Sequence, residues 1–245
     1  ILAKQGTRLA HNGASTYAEL THQDVRDLGL KLKYMNINKL DVIMDIGSGG
    51  CSCIAKLCQL CECRGFGIEY DSGRVIKAAH QMKKVIEEQK HNKKFLVGNI
   101  FNCHQDVTKI NQLPSMVTVV YMFDEAFDPE LMQHIFQVIA KSKSIKYVIS
   151  FKSGRCLNFN TLLVEATGMQ PIANRVSVSK SHSGGKSSYA IYSNRNKIMP
   201  SELENCSFLF ANFKFRQNVS PCNTKQNKFK TNLILSVSES ARAKL

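Results

Sequence analysis

Acidic residues and glycines placed at the end of a short apolar run are the residues best suited to bind a charged ligand. Residues 42–46 are apolar except for Asp45, and Gly47 and Gly49 follow directly. Such a run predicts a buried parallel strand, and glycines just after it let the backbone turn sharply and approach a ligand. Because residues 54–60 can begin a helix, the segment predicts the strand–loop–helix pocket of an open α/β sheet.

The charge of Asp45 indicates which ligand this pocket binds. A dinucleotide places a pyrophosphate on a G-x-G-x-x-G loop, and the third glycine position is Ser52 in this chain. A carboxylate just before the loop repels phosphate but attracts a cation. S-adenosylmethionine (SAM) carries an ammonium and a sulfonium at its methionine end, so Asp45 favours SAM over a nicotinamide dinucleotide. A strand-to-helix turn without a ligand is the alternative.

A second carboxylate supports the pocket. Residues 65–70 form another short strand that ends in Glu69, 24 residues after Asp45. An acidic residue at the end of the second strand, about 20 residues on, accepts hydrogen bonds from ribose hydroxyls. The alternative for Glu69 is a solvated strand end or a charge at the start of the next helix.

Composition bounds the class of protein. The chain has 245 residues, 43% of them hydrophobic, and a net charge of +14, which draws a protein to polyanions such as nucleic acid or an acidic protein surface. No apolar run approaches the roughly 20 residues that cross a bilayer, so we expect no membrane contact.

Five of the nine cysteines fall between residues 51 and 63. Cys58 and Cys61 would share one face of a buried helix, as packed apolar side chains do, so we expect no metal site. We expect the thiols to be reduced, as in proteins of the cytosol and nucleus.

The order of predicted elements is a helix, then alternating strands and helices, then a closing antiparallel pair. A capping box at residues 16–19 predicts a helix through about Leu28, with a linker over 30–39. The remaining predictions are strands at 42–46, 65–70, 94–98, 116–123 and 145–151, helices at 71–90, 129–140 and 160–167, and a hairpin of 172–178 with 188–192. The resulting division is a basic arm and helical part over 1–38, a SAM-binding domain over 39–195 and a basic extension over 196–245.

Five stretches of the chain match the motifs of one family in order. Thr16-Tyr-Ala-Glu19 is similar to its Tyr-Gly-Glu motif, and Ala126-Phe-Asp-Pro-Glu130 to its Ala-Phe-Gly-Pro-Glu motif. Asp45-Ile-Gly-Ser-Gly49 resembles its cofactor loop, and Gly67-Ile-Glu69 its Gly-hydrophobic-Glu motif. Residues 150–153 and 181–189 resemble its closing strands. The family is the non-SET histone lysine methyltransferases related to the disruptor of telomeric silencing.

This resemblance implies a fold and a set of cofactor-binding residues. The fold is the seven-stranded, Rossmann-like sheet of class I SAM-dependent methyltransferases, with an N-terminal helical part. The implied cofactor-binding residues are Tyr17, Glu19, Asp45, Gly47, Ser48, Gly49, Glu69, Asn99 and Ile100. Tyr17 and Glu19 would belong to a loop that closes over the cofactor. Asn99 would face the adenine amine, and Ile100 would pack on the adenine.

The resemblance also implies a narrow channel for a substrate lysine. Tyr189 matches a tyrosine that lines this channel, while the family's channel asparagine and tryptophan are replaced here by Phe123 and His182. We expect Phe123, Phe127 and Tyr189 to form an aromatic wall that disfavours the charged amine. Asp124 would orient the substrate or accept a proton. The alternatives are that the two phenylalanines belong to the core and that Asp124 caps the helix at Pro129.

The sequence therefore predicts a SAM-dependent histone lysine methyltransferase that acts in the nucleus. The basic arm and extension would contact the DNA and histones of a nucleosome. Two other functions remain open. One is a methyltransferase for RNA or for a non-histone protein, with a cytoplasmic location as the alternative. The other is a catalytically weak domain that keeps the fold and binds nucleic acid or protein.

Overall fold

Helices and strands alternate through most of the chain. The structure is a computed structural model that describes residues 20–88, 100–179, 185–194 and 196. The helices are α1 (His22–Tyr34), α2 (Ser52–Cys61), α3 (Ser72–Glu88), α4 (Pro129–Lys141), α5 (Phe151–Arg155) and α6 (Leu157–Thr167). The strands are β1 (Val42–Ile46), β2 (Arg64–Glu69), β3 (Ile100–His104), β4 (Val119–Met122), β5 (Tyr147–Ser150), β6 (Gln170–Ser179) and β7 (Lys186–Ser193), and a short 3₁₀ turn covers Val107–Lys109.

One sheet of seven strands, in the order β3-β2-β1-β4-β5-β7-β6, organises these elements. Strands β1 to β5 are parallel, and β7 is antiparallel to both β5 and β6. The predicted sheet and its closing antiparallel pair are confirmed. The strand order reverses between β1 and β4, and open α/β sheets bind ligands in the crevice beyond the carboxyl ends of the strands at such a switch point.

The two faces of the sheet carry separate apolar clusters. One cluster joins buried residues of α1 and α2 to the sheet, and the other joins buried residues of α4 and α6 to the opposite face. Because side chains alternate along a strand, Asp45 of β1 lies on the α1–α2 face with its register partners Gly67 and Tyr121. Within the described residues, no helix is both long and apolar enough to cross a membrane.

The first helix differs from its prediction at both ends. It begins at His22, where the Thr21 hydroxyl accepts a hydrogen bond from the Asp24 amide at 3.2 Å, and it continues to Tyr34 through the predicted linker. Residues 16–19, the predicted capping box, lie outside the described residues. A glycine inside a helix is unfavourable by about 1 kcal/mol. Gly29 within α1 instead allows α2 to pack closely, since a Cβ there would lie 2.5 Å from Leu60 Cδ1.

Two later elements also differ from their predictions. The third strand occupies Ile100–His104 and pairs with β2 over its whole length, while residues 94–98, the predicted strand, lie outside the described residues. Phe151, predicted to end the fifth strand, is instead the first residue of the short helix α5. The side chain of Ser150 accepts a hydrogen bond from the Ser153 amide, which starts the helix there.

Candidate functional site

The glycine loop turns sharply at the carboxyl end of β1. Gly47 has a φ of 80° and Gly49 a φ of 52°, in the left-handed region that favours glycine. The amides of Gly47 and Ser48 both donate to the Ile68 carbonyl, at 2.9 and 3.0 Å. A Cβ on Gly47 would lie 3.0 Å from Phe127 Cζ, so the predicted aromatic residue Phe127 packs directly on the loop.

Asp45 and Glu69 give this edge of the sheet a negative potential. Both carboxylates are buried, at 3% and 6% exposure. Burial raises the pKa of the Cys51 thiol at the start of α2, and the charges of Asp45 and Glu69 raise that pKa further. Burial likewise raises the pKa of Tyr121, with an added contribution from Asp45. An environment that disfavours new negative charge favours a cationic ligand group.

Glu69 is held in place by the glycine loop. One carboxylate oxygen accepts from the Gly49 amide at 2.8 Å, and the other accepts from the Asp71 amide at 2.9 Å. Each carboxylate oxygen has a further lone pair, so the group can still accept two hydrogen bonds. A ribose offers two adjacent hydroxyl donors, which match that capacity.

A buried amide without a partner lies beside these carboxylates. The Ser48 hydroxyl donates to Asn102 Oδ1 at 2.9 Å, while Asn102 Nδ2 has no hydrogen-bond partner among the described residues. Gly67 leaves room for both side chains, since a Cβ there would lie 2.7 Å from Asn102 Oδ1. A buried unpaired donor is unfavourable. The donor therefore fits a ligand that brings an acceptor, such as a nucleoside oxygen or ring nitrogen.

Asn102 of β3 lies nearer the carboxyl edge of the sheet than Ile100, beside Ser48. Asn99 lies outside the described residues. Ile100 pairs with Gly65, four residues before Glu69, so the structure does not bring Ile100 to the carboxyl edge of the sheet. Its side chain is instead buried in the α1–α2 cluster. Tyr17 and Glu19 also lie outside the described residues.

Asp124 is a helix cap within a buried polar cluster. One carboxylate oxygen accepts from the amides of Phe151 and Lys152, both at 2.7 Å, and the other accepts from the Ser150 hydroxyl at 2.6 Å. Burial raises the pKa of Asp124 to about 6, against the opposing effect of these hydrogen bonds. The alternative prediction that Asp124 caps the helix beginning at Pro129 is wrong, because Asp128 caps that helix.

Aromatic rings line the carboxyl ends of β4 and β5 and the neighbouring amino-terminal half of the antiparallel strand β7. Phe151 lies between the others, with ring centroids 4.6 Å from Phe123 and 5.4 Å from Tyr189. The structure thus brings two of the predicted channel residues together through Phe151. Phe127 lies apart from them, against the α4–α6 cluster. Phe151 was not predicted as a site residue because it was assigned to the end of an apolar strand.

The Tyr189 hydroxyl has a charged partner. Lys31 of α1 donates from Nζ to Tyr189 Oη at 3.0 Å, and both residues are buried. Burial lowers the pKa of Lys31 to about 8, and Asp27 and Asp24 offset part of that effect. Lys31 carried no signal in the sequence, because residue 31 falls in the predicted linker over 30–39, where a lysine ordinarily faces solvent.

Solved structures share this fold. The magnesium protoporphyrin IX methyltransferase ChlM from Synechocystis PCC 6803, solved with bound SAM, is 16% identical over 70% of this chain and 78% of that one, with a TM-score of 0.51. The N-methyltransferase NodS from Bradyrhizobium japonicum WM9 is 13% identical over 70% of this chain and 95% of that one, with a TM-score of 0.50. At such identities the likeness establishes the class I SAM-dependent methyltransferase fold alone.

A family model gives the more specific match. The sequence comparison with curated proteins gives no match. The model described as "Histone methylation protein DOT1" matches residues 7–191, about three quarters of the chain. That span contains every predicted site residue, from Tyr17 to Tyr189. The chain therefore belongs to the DOT1 histone methylation family.

Proposed function

We propose that this chain is a SAM-dependent protein lysine methyltransferase that acts on a core histone within a nucleosome. The observation that carries the proposal is the arrangement at the switch point of the sheet. There a buried Asp45, a left-handed glycine loop and a loop-anchored Glu69 converge at the carboxyl ends of β1 and β2. Membership of the DOT1 family supports the choice of a histone as acceptor.

The residues of this edge suit the parts of SAM in order. SAM supplies an electrophilic methyl group on a sulfonium. Asp45 attracts the cationic methionine end, Glu69 accepts from the ribose hydroxyls, and the Asn102 amide donates to an acceptor on the nucleoside. Gly47, Ser48 and Gly49 let the backbone approach the ligand. Tyr17 and Glu19 complete this proposed set as a covering loop.

The aromatic cluster suits a lysine amine. An ammonium cannot attack a methyl group, so the acceptor must first lose its proton. Rings that exclude water disfavour the charged form and lower the pKa of an entering amine. Phe123, Phe151 and Tyr189 supply that environment, with the Tyr189 oxygen available to orient the amine. Phe127 lies apart from these rings and packs on the glycine loop.

Asp124 has a positioning role in this proposal. Its oxygens already accept three hydrogen bonds, so it holds the start of α5 and, through Phe151, the aromatic cluster. This replaces the sequence-based expectation that Asp124 accepts a proton from the substrate. A group buried in this way fixes geometry, which is the main requirement of an in-line methyl transfer.

The nucleosome is the proposed partner because of charge. The net charge of +14 favours contact with DNA phosphates and with acidic protein surfaces. The basic arm and the extension over 196–245, which lie outside the described residues, are the proposed contact segments. A nuclear location follows from this partner. Association through Lys and Arg contacts to phosphate weakens steeply with added salt.

A side-by-side transfer assay tests the acceptor. Tritiated SAM is incubated with intact nucleosomes, free core histones and RNA, and the products are separated before counting. We expect label in a core histone, with the largest amount from intact nucleosomes. Label confined to RNA or to a non-histone protein would replace the proposed substrate. Absence of label together with absence of cofactor binding would indicate a binding domain instead.

A matched pair of variants tests the cofactor site directly. Glu69→Gln removes the charge and turns one acceptor into a donor that faces a backbone amide. We expect the Kd for S-adenosylhomocysteine, measured by calorimetry, to rise at least about tenfold. Glu62→Gln is the control, because Glu62 pairs with Lys33 on the surface, with 77% of its side chain exposed. Equal affinities for the two variants would contradict the ribose role of Glu69.

A further inference from the structure

A lysine lies buried behind the aromatic cluster. Lys31 is only 5% exposed, and its Nζ lies 3.0 Å from Tyr189 Oη and 5.5 Å from the centre of that ring. The two residues are 158 positions apart in the chain and belong to α1 and β7. The contact therefore joins the first helix to the last described strand at the acceptor side of the proposed site.

Burial of this ammonium is energetically unfavourable. Removal of a charge from water costs several kcal/mol, and apolar residues of similar volume often replace buried ionic groups without loss of stability. Asp27 and Asp24 of the same helix offset part of this cost, and burial still lowers the pKa of Lys31 to about 8. A methionine would fill the same space without this desolvation. The lysine is thus poorly explained as a packing residue.

The Tyr189 ring has little freedom of its own. Phe151 packs against its face, with centroids 5.4 Å apart. The backbone of Tyr189 also lies against α5, since a Cβ on Gly154 would be 2.6 Å from the Tyr189 carbonyl carbon. With ring and backbone fixed, the main remaining variable is the direction of the hydroxyl hydrogen and lone pairs.

Lys31 restricts the orientation of the Tyr189 hydroxyl group. An ammonium only donates, so the Tyr189 oxygen must direct one lone pair at Lys31. The hydroxyl hydrogen and the second lone pair are then directed away from Lys31. An incoming amine that donates an N–H to Tyr189 would meet this second lone pair.

We infer that Lys31 is a positioning residue that fixes the Tyr189 hydroxyl so that its free lone pair faces the acceptor amine. This inference rests on the proposed methyltransferase function. Lys31 does not touch the substrate; it acts through Tyr189. Substitution of Lys31 leaves the Tyr189 hydroxyl free to rotate. The substrate amine then meets a correctly oriented hydroxyl less often, while cofactor binding is unchanged.

A double-mutant cycle tests this role. We measure kcat and KM on nucleosomes for the wild type, Lys31→Met, Tyr189→Phe and the double variant. We expect Lys31→Met to lower kcat about tenfold, with the KM for SAM within about twofold of the wild type. The double variant is expected to match Tyr189→Phe, because residues that act through one group are not additive. Lys33→Met is the control, since Lys33 lies on the same helix in an exposed pair with Glu62.

Two further measurements separate positioning from stability. Thermal denaturation is expected to show Lys31→Met as stable as the wild type or more so. Lys31→Gln, which keeps an N–H donor, is expected to retain more activity than Lys31→Met. Side-chain NMR of the wild type is expected to show a pKa of about 8 for Lys31, assigned by its absence from Lys31→Met, and a further lowering of that pKa in Tyr189→Phe.

The possible failures are distinguishable. Wild-type kcat in Lys31→Met, or additive losses in the cycle, would overturn the positioning role and leave the methyltransferase function intact. A Lys31 titration that is identical in the wild type and in Tyr189→Phe would also overturn the role, even if Lys31→Met failed to fold. Absence of methyl transfer by the wild type on every acceptor would overturn the proposed function, and the positioning role with it.

Discussion

The substitution Asp124→Asn changes the pH dependence of stability in a direction fixed by the structure. Burial raises the pKa of Asp124 from 3.8 to about 6 in the folded chain. Between these values the unfolded chain has released the proton and the folded chain keeps it. The unfolding free energy therefore falls as pH rises, and the contribution present below pH 4 is lost as pH passes 6.

The magnitude follows from the same shift. A difference of about 2 pKa units at 1.36 kcal/mol each corresponds to about 3 kcal/mol, as an order of magnitude. The asparagine has no such titration, and its oxygen can still accept from the amides of Phe151 and Lys152. We thus expect Asp124→Asn to gain stability relative to the wild type by up to about 3 kcal/mol between pH 4 and pH 7.

Urea unfolding followed by far-UV circular dichroism measures this difference, since the chain has no tryptophan. The informative quantity is the difference in unfolding free energy between the wild type and Asp124→Asn at each pH, because the effects of other titrating groups cancel in that difference. Asp128→Asn is a suitable control, as Asp128 also caps a helix, accepting from the Leu131 amide at 2.8 Å, but is exposed. A difference in unfolding free energy that stays constant between pH 4 and pH 7, or changes with the opposite sign, would refute the conclusion that burial favours the neutral carboxylic acid form of Asp124.

Two further predictions concern the cofactor loop. Gly47→Ala adds a methyl group 3.0 Å from Phe127 at a φ of 80°, and we expect a loss of about 2 kcal/mol in urea unfolding and weaker S-adenosylhomocysteine binding. Gly168→Ala has the same kind of backbone strain but nothing within 4 Å, so a loss of about 1 kcal/mol and unchanged binding are expected. Asn102→Asp replaces the buried amide donor with a charge, and calorimetry is expected to show weaker binding, whereas tighter binding would indicate that an adenine amine faces this side chain.

Local patterns were sufficient to predict the cofactor half of the fold. The strand that carries Asp45, the glycines after it and the strand that ends in Glu69 are each defined by a few neighbouring residues. The pairing of β1 with β2 then brings them together. The third strand was harder, because residues 94–104 are apolar enough for more than one register. Its pairing with β2 places Asn102 beside Ser48, whereas Ile100 pairs with Gly65.

The acceptor half depends on contacts between distant parts of the chain. Asp124 caps a helix that begins 27 residues later, so its role is not visible from its neighbours. Lys31 falls in the predicted linker, and Phe151 is the last residue of a predicted apolar strand. Their importance comes from β7, which places Tyr189 against both. The spacing of apolar residues along the sequence predicts helices and strands, but it does not reveal which distant side chains contact each other.

The contact between Lys31 and Tyr189 also constrains folding during synthesis. At about 5–20 residues per second, the ribosome adds the 158 residues between them in roughly 10–30 s. Throughout that interval the contact between Lys31 and Tyr189 cannot form, and Asp24 and Asp27 are the carboxylates of the same helix that act on the ammonium. The link between the first helix and β7 is therefore made only after the last described strand has been synthesised.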